Sequence, residues 1–252
     1  MLFDSIIYGP IHSRRLGTSL GVNLMPTDHK LCSFNCVYCE CGWNSPVQHP
    51  VLPTVDEFER ALEAELSNHR TLIDTITFSG NGEPTLHPDF LEIMKATVRL
   101  RDRYCPKAKI SVLSNSTQLT RPEVVEALRM ADNRILKLDS AIDATMQKID
   151  KPVNNMLTVA DLVSRLEQFG GDFTLQTCFL RGTNEGAVID NTTPEELAAW
   201  YKVVEHLQPK QIMIYVIDRT TPCPTLEKIP SDEMKAIAAP LQAKGFNVII
   251  SA

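Results

Sequence analysis

The sequence predicts an α/β fold: a partial (β/α)6 TIM-like barrel of parallel strands with helices outside. Two observations carry this expectation. Short β-rich runs alternate with amphipathic helical stretches along nearly the whole chain, the pattern of a parallel sheet with crossover helices. The 252 residues match the size that one α/β barrel reaches. About six strands precede a short tail, fewer than a closed eightfold barrel needs.

The elements follow in order. A first strand is expected near Ser19–Leu24, then a long loop, Met25–Pro53, with four of the seven cysteines. Thr54 with Glu57 three residues on forms a capping box, opening a helix to about His69. A strand at Ile73–Phe78, a helix near Pro88–Arg103 and a strand at Ile110–Ser114 come next. Pro122 suits the first position of a helix to about Met130. A strand at Arg134–Asp139 and a short helix near Ala144–Ile149 follow. A longer helix, Thr158–Phe169, ends at Gly170–Gly171. Strands at Phe173–Leu180 and Gln211–Ile217 flank a helix at Pro194–Leu207. A helix at Asp232–Lys244 and a last strand at Phe246–Ile250 complete a single domain, with no internal repeat or long linker.

In a barrel, alternate strand residues face the helices and the lumen. Ile76 and Phe78 oppose Thr75, Thr77 and Ser79; Leu136 and Leu138 oppose Ile135, Lys137 and Asp139. Phe173, Leu175 and Phe179 oppose Thr174, Gln176 and Cys178, and Ile212, Ile214 and Val216 oppose Met213, Tyr215 and Arg219. The second faces are unusually polar for a packed core, where unpaired polar groups are costly. They suit a lumen that holds a polar ligand; the alternative is a network that satisfies itself.

Composition narrows the function classes. The net charge is −6, a poor default for binding nucleic-acid phosphates. The N-terminal segment lacks the basic and apolar regions of a secretory signal, and no apolar run reaches the length of a membrane span. A cytoplasmic protein is expected. An odd count of seven cysteines without an export signal argues for thiols in metal or redox use.

Cys32, Cys36 and Cys39 stand in a C-x3-C-x2-C loop. Three thiolates bind three corners of a [4Fe–4S] cluster and leave one iron open for the amino and carboxylate groups of S-adenosylmethionine (SAM). The same residues with His29 or Cys41 also suit a closed zinc site. That gives the alternative of another class, a zinc-stabilised binding domain without catalysis.

The motif resembles the cluster loop of the radical SAM superfamily, with Tyr38 as its aromatic residue before the last cysteine. The resemblance spans nearly the whole chain. It implies an oxygen-sensitive enzyme with a [4Fe–4S] cluster, SAM as cofactor, and a flavodoxin or ferredoxin as reductant. It further implies SAM contacts from the Tyr38 backbone, from Gly80, Asn81, Gly82 and Glu83 (similar to a Gly-Gly-Glu segment), and from Ser114 and Asn115. Asn115 also suits a simple cap. Gln176 and Arg219 are further candidates for SAM or substrate, the latter as a carboxylate clamp. The runs Tyr8–Gly17, Leu20–Asn23, Phe78–Phe90 and the LDSA run at Leu138 look like the branch related to wyosine-base synthesis. The chain departs from that branch in lacking a second cysteine trio, and Cys105, Cys178 and Cys223 read as isolated core residues.

Lys137, Asp139 and Tyr215 are the candidate catalytic residues on the substrate side. A buried Lys137–Asp139 ion pair is the structural alternative. His12, Arg14 and Arg15 suit a cover over the site or solvated surface, and His87 a turn or cap. The expected reaction is hydrogen abstraction by a 5′-deoxyadenosyl radical from a small polar substrate, a modified nucleobase or nucleoside among them, of lyase or rearrangement type. The alternative within enzymes is tRNA modification. Cys41, close to the cluster loop, is expected to have a non-ligand role.

Overall fold

The computed structural model describes residues 2–13, 16–68 and 73–251, so Arg14, Arg15 and His69 lie outside the described residues. The chain divides into two compact units, residues 1–33 with 44–135, and residues 34–43 with 136–252.

The first unit begins with a strand that the sequence reading missed. β1 (Ile7–Ser13) pairs antiparallel with β2 (Gly17–Val22). Gly9 and Pro10 obscure it, because proline cannot donate to a ladder and glycine packs nothing. The register shifts between Tyr8 and Ile11, which accommodates both. α1 (Val55–Asn68) follows the long loop. Its capping box is as expected: Glu57 Oε2 accepts from Thr54 N and Oγ1, both at 2.8 Å, and Glu57 N donates to Thr54 Oγ1 at 3.2 Å. β3 (Thr75–Phe78), a 3₁₀ turn (Pro84–Leu86), α2 (Phe90–Tyr104), β4 (Lys109–Ser114) and α3 (Pro122–Met130) complete this unit with the start of β5 (Asn133–Lys137). β2, β3 and β4 run parallel, with Leu20 opposite Ile76 and Ile76 opposite Ile110.

The two faces of these strands divide as the alternation predicts. Phe78 lies between Phe58 of α1 and Phe90 of α2, at ring distances of 6.2 and 5.9 Å, and all three are fully buried. On the polar face the hydroxyls bond to one another. Ser19 donates to Thr77 at 2.7 Å, Thr75 and Ser111 share a bond of 2.8 Å, and Asn133 donates to Ser111 at 3.0 Å. This stretch of polar face is therefore a self-satisfied network, the alternative to a ligand.

The second unit contains α4 (Asp143–Asp150), α5 (Val159–Glu167), β6 (Thr174–Cys178), β7 (Leu180–Asn184), β8 (Ala187–Asp190), α6 (Pro194–Leu207), β9 (Gln211–Tyr215), β10 (Glu227–Lys228), α7 (Ser231–Ala243) and β11 (Val248–Ser251). β6 and β11 flank β9 in parallel. The small antiparallel sheet β10-β7-β8 was not expected. Its hairpin turns at Glu185–Gly186, both with positive φ, the conformation that tight hairpins require. Trp200 of α6 packs edge-on to Phe179 at 5.2 Å, and its indole N–H donates to Thr177 Oγ1 at 3.1 Å.

Phe78→Ala removes the ring that links α1 and α2 through β3. The expected cost is about 3–5 kcal/mol, read as a lowered urea midpoint with an unchanged slope.

Candidate active site

The first unit gathers one group of the predicted residues. The segment after β3 runs Ser79-Gly-Asn-Gly-Glu83. Its backbone lies directly on the chain entering the cysteine loop: Leu31 N donates to Asn81 O at 3.0 Å, and Glu83 N donates to Leu31 O at 3.1 Å. Gly82 is in the positive-φ region (+142°), and a Cβ there would stand 1.7 Å from Leu31 O. Only glycine permits this approach. A Cβ on Gly80 would meet Asn23 Cβ at 2.4 Å. Asn81, expected at the cofactor, is fully buried and spends its amide on Phe3 N and O (2.8 and 2.7 Å) and Pro26 O (2.8 Å). Its side chain is a staple for the N-terminal segment.

Glu83 is 2% exposed. One carboxylate oxygen accepts from Thr85 N (3.2 Å) and Oγ1 (2.5 Å), the other from Asn115 N at 2.7 Å. Burial raises its pKa, opposed by these bonds and by one from Ser114. In this structure the carboxylate thus joins the turn after β3 to the end of β4. Thr85 is the partner that sequence reasoning missed. Asn115 does more than cap: its Nδ2 donates to Ser33 Oγ at 2.9 Å and reaches Cys32 Sγ at 3.5 Å, while Oδ1 accepts from Thr117 N and Oγ1.

The second unit gathers Cys36, Tyr38, Lys137, Asp139 and Tyr215 around Asp150, which sequence reasoning also missed. Lys137 Nζ bonds Asp139 Oδ2 at 2.5 Å and also Asp150 Oδ1. The three side chains are 11, 0 and 1% exposed. Tyr38 donates its phenolic proton to Asp139 Oδ2 at 2.5 Å, and Cys178 N donates to Asp139 Oδ1 at 2.9 Å. Cys36 Sγ donates to Asp150 Oδ1 at 3.5 Å. Tyr215, half-buried, donates to Tyr38 Oη at 3.4 Å, the rings meeting edge-on. Burial alone would lower the Lys137 pKa, but Asp139 and Asp150 more than offset it and hold the ammonium. Burial raises the Tyr38 and Tyr215 pKa values well above the usual tyrosine range.

The backbone holds the same loop. Asn35 N donates to Asp150 O at 2.8 Å and Val37 N to Ile149 O at 2.9 Å. These carbonyls belong to the last turn of α4, where no intrahelical donor is available. Gln176 directs Nε2 to Met213 Sδ at 3.7 Å. Arg219 does not share a strand face with Tyr215, a correction to the parity argument. β9 ends at Tyr215 and the chain leaves the sheet, so alternation no longer applies. Its side chain is 65% exposed and pairs with Glu40 at 2.7 Å.

Cys32 and Cys39 are half-buried and Cys36 is buried; no disulfide joins the described cysteines. Three thiols, one receiving an amide N–H, fit the sulfur donor set of an iron–sulfur cluster. No group of three or more His, Cys, Asp or Glu among the described residues already stands as a metal site.

The sequence profile of the radical SAM superfamily matches residues 29–191. The chain belongs to the radical SAM superfamily. Members of this superfamily use a [4Fe–4S] cluster and SAM. A UPF0026 protein of Helicobacter pylori is 32% identical over 185 residues, covering 72% of this chain; the chain spans 58% of that relative's length. The structure of Streptococcus suis SuiB bound to S-adenosylmethionine aligns with a TM-score of 0.65 at 12% identity, over 89% of this chain and 49% of that one. TYW1 with a lysine-pyruvate adduct bound aligns with a TM-score of 0.62 at 14% identity, over 91% of this chain and 75% of that one. These likenesses show the fold, the partial (β/α)6 barrel of radical SAM enzymes.

Two outcomes follow for this radical SAM fold. Gly82→Ala forces the backbone off Leu31, at an expected cost of at least about 3 kcal/mol by chemical denaturation. His87, buried as a turn residue, pairs Nε2 with Pro53 O at 2.8 Å and accepts from Asp89 N at 3.1 Å on Nδ1. Burial depresses its pKa below the usual 6.5. Between the depressed value and 6.5 the unfolded chain binds the extra proton, so stability falls as pH falls. The melting temperature should drop between about pH 7.5 and about pH 5.5, with a shallower slope in His87→Gln.

Proposed function

We propose that Cys32, Cys36 and Cys39 hold a [4Fe–4S] cluster and that the enzyme abstracts hydrogen from a small polar substrate, by a lyase or rearrangement reaction. The carrying observation is the C-x3-C-x2-C spacing inside the region matched by the superfamily profile. When bound, the cluster supplies the electron that cleaves SAM to methionine and a 5′-deoxyadenosyl radical.

The chain's own residues prepare the loop for this. Asn115 offers an amide N–H to Cys32, and the turn 79–83 presses on Leu31 beside it. The last turn of α4 fixes the backbone on either side of Cys36. Lys137 and Asp139, expected at the substrate, are bonded to each other and serve as support for Tyr38 and the loop. Tyr215, partly exposed and bonded to the group only through Tyr38 Oη, is read as the substrate-side member. A net charge of −6 favours a small molecule, such as a modified nucleobase or nucleoside, over a phosphodiester chain.

The test is anaerobic reconstitution with iron and sulfide, reduction, addition of SAM and quantification of 5′-deoxyadenosine. Product and about four irons per chain are expected in the parent, both lost in Cys36→Ala. A colourless, zinc-containing protein that releases no deoxyadenosine would reverse the proposal.

A further inference from the structure

The second unit contains a charge arrangement that the proposed chemistry does not use directly. A single oxygen, Asp150 Oδ1, bonds both the Cys36 sulfur and the Lys137 ammonium. Among the described residues Lys137 is the cation bonded to both the Asp139 and Asp150 side chains, and its ammonium also lies over the rings of Phe34 (5.3 Å) and Tyr38 (5.2 Å). Four groups of the cysteine loop thus surround one buried charge: the Phe34 ring, the Tyr38 ring and hydroxyl, and Cys36 through Asp150. The Asn35 and Val37 N–H groups anchored on α4 keep the loop in that place.

Charges in such a setting act strongly. With water largely excluded, the interaction between a unit charge and a neighbouring sulfur is several times its value in bulk solvent. An iron–sulfur group gains one negative charge on reduction, and its potential responds to net charge and to hydrogen bonding at the cysteine sulfurs. A nearby ammonium favours the reduced form; a nearby carboxylate opposes it.

We propose that Lys137 and Asp150 are positioning residues that set the reduction potential at Cys36 by opposed charges, Lys137 raising it and Asp150 lowering it. This rests on the reading that Cys36 ligates a cluster. The pair is read as support for the loop, because the Lys137 ammonium is taken up by the two carboxylates. It acts by the fixed charges beside the Cys36 sulfur, which gives up its proton on ligating the cluster.

The experiment is an EPR-monitored redox titration of the full chain, reconstituted anaerobically and without SAM. Three forms are compared: the parent, Lys137→Met and Asp150→Asn. At the parent midpoint, the ratio of reduced to oxidised cluster should fall about tenfold in Lys137→Met, a downward shift of about 59 mV for one electron. It should rise about tenfold in Asp150→Asn. A purely structural role predicts loss of cluster in both variants but no shifts of opposite sign. Should Lys137→Met fail to fold with two uncompensated carboxylates, the double variant Lys137→Met/Asp150→Asn replaces it, with a midpoint expected near the parent's and below that of Asp150→Asn. Unchanged midpoints, or shifts of the same sign, would overturn the inference while leaving the cluster assignment intact. A parent that takes up no iron–sulfur cluster would overturn both.

Discussion

Lys137 between Asp139 and Asp150 is the interaction on which the second unit's share of the candidate site depends. Three ionisable groups in a dry interior are expensive to assemble, and such a set persists only when its members satisfy one another. Here Asp139 also takes the Tyr38 hydroxyl and the Cys178 N–H, while Asp150 takes the Cys36 thiol. Every bond made to stabilise a buried charge therefore also places part of the cysteine loop. Removing one member would leave its partners unpaired, so loop position and charge compensation are the same constraint.

The first unit solves a similar problem with a single carboxylate. Among the described residues no cation pairs with the buried Glu83, and four neighbouring donors from Thr85, Asn115 and Ser114 replace one. The result is a rigid turn pressed against Leu31, with the Asn115 amide beside Cys32. Glycine at position 82 is a steric requirement of that contact, because the neighbouring backbone oxygen occupies the space of a side chain. The Gly-Asn-Gly-Glu segment thus has a structural reading complete in itself, beside the cofactor contacts that its resemblance implies.

Much of the fold was legible in the chain. The parallel strands and their helices follow from alternating periodicity, and the capping box at Thr54 from two residues. Edge strand β1 was not, because Gly9-Pro10 interrupts its pattern and only pairing with β2 restores it. The small sheet β10-β7-β8 was hidden for another reason. Its strands have two to five residues, too few for a periodicity to register, and pairing across long sequence separations brings them together.

Sequence alone determined the chemistry on offer: three cysteines at metal-binding spacing, a glycine turn ending in Glu83, and Lys137 and Asp139 on one strand face. Those are covalent facts, and local geometry carries them. Only the tertiary structure decided what each group does with its bonds. It brought Asp150 from the end of α4 to Lys137 and Cys36, committed Asn81 to the N-terminal segment, and left Arg219 in solvent with Glu40. The physical reason is that hydrogen bonds and ion pairs in a packed interior are settled by which groups must be compensated there. That accounting runs over residues that can be more than a hundred positions apart in the chain.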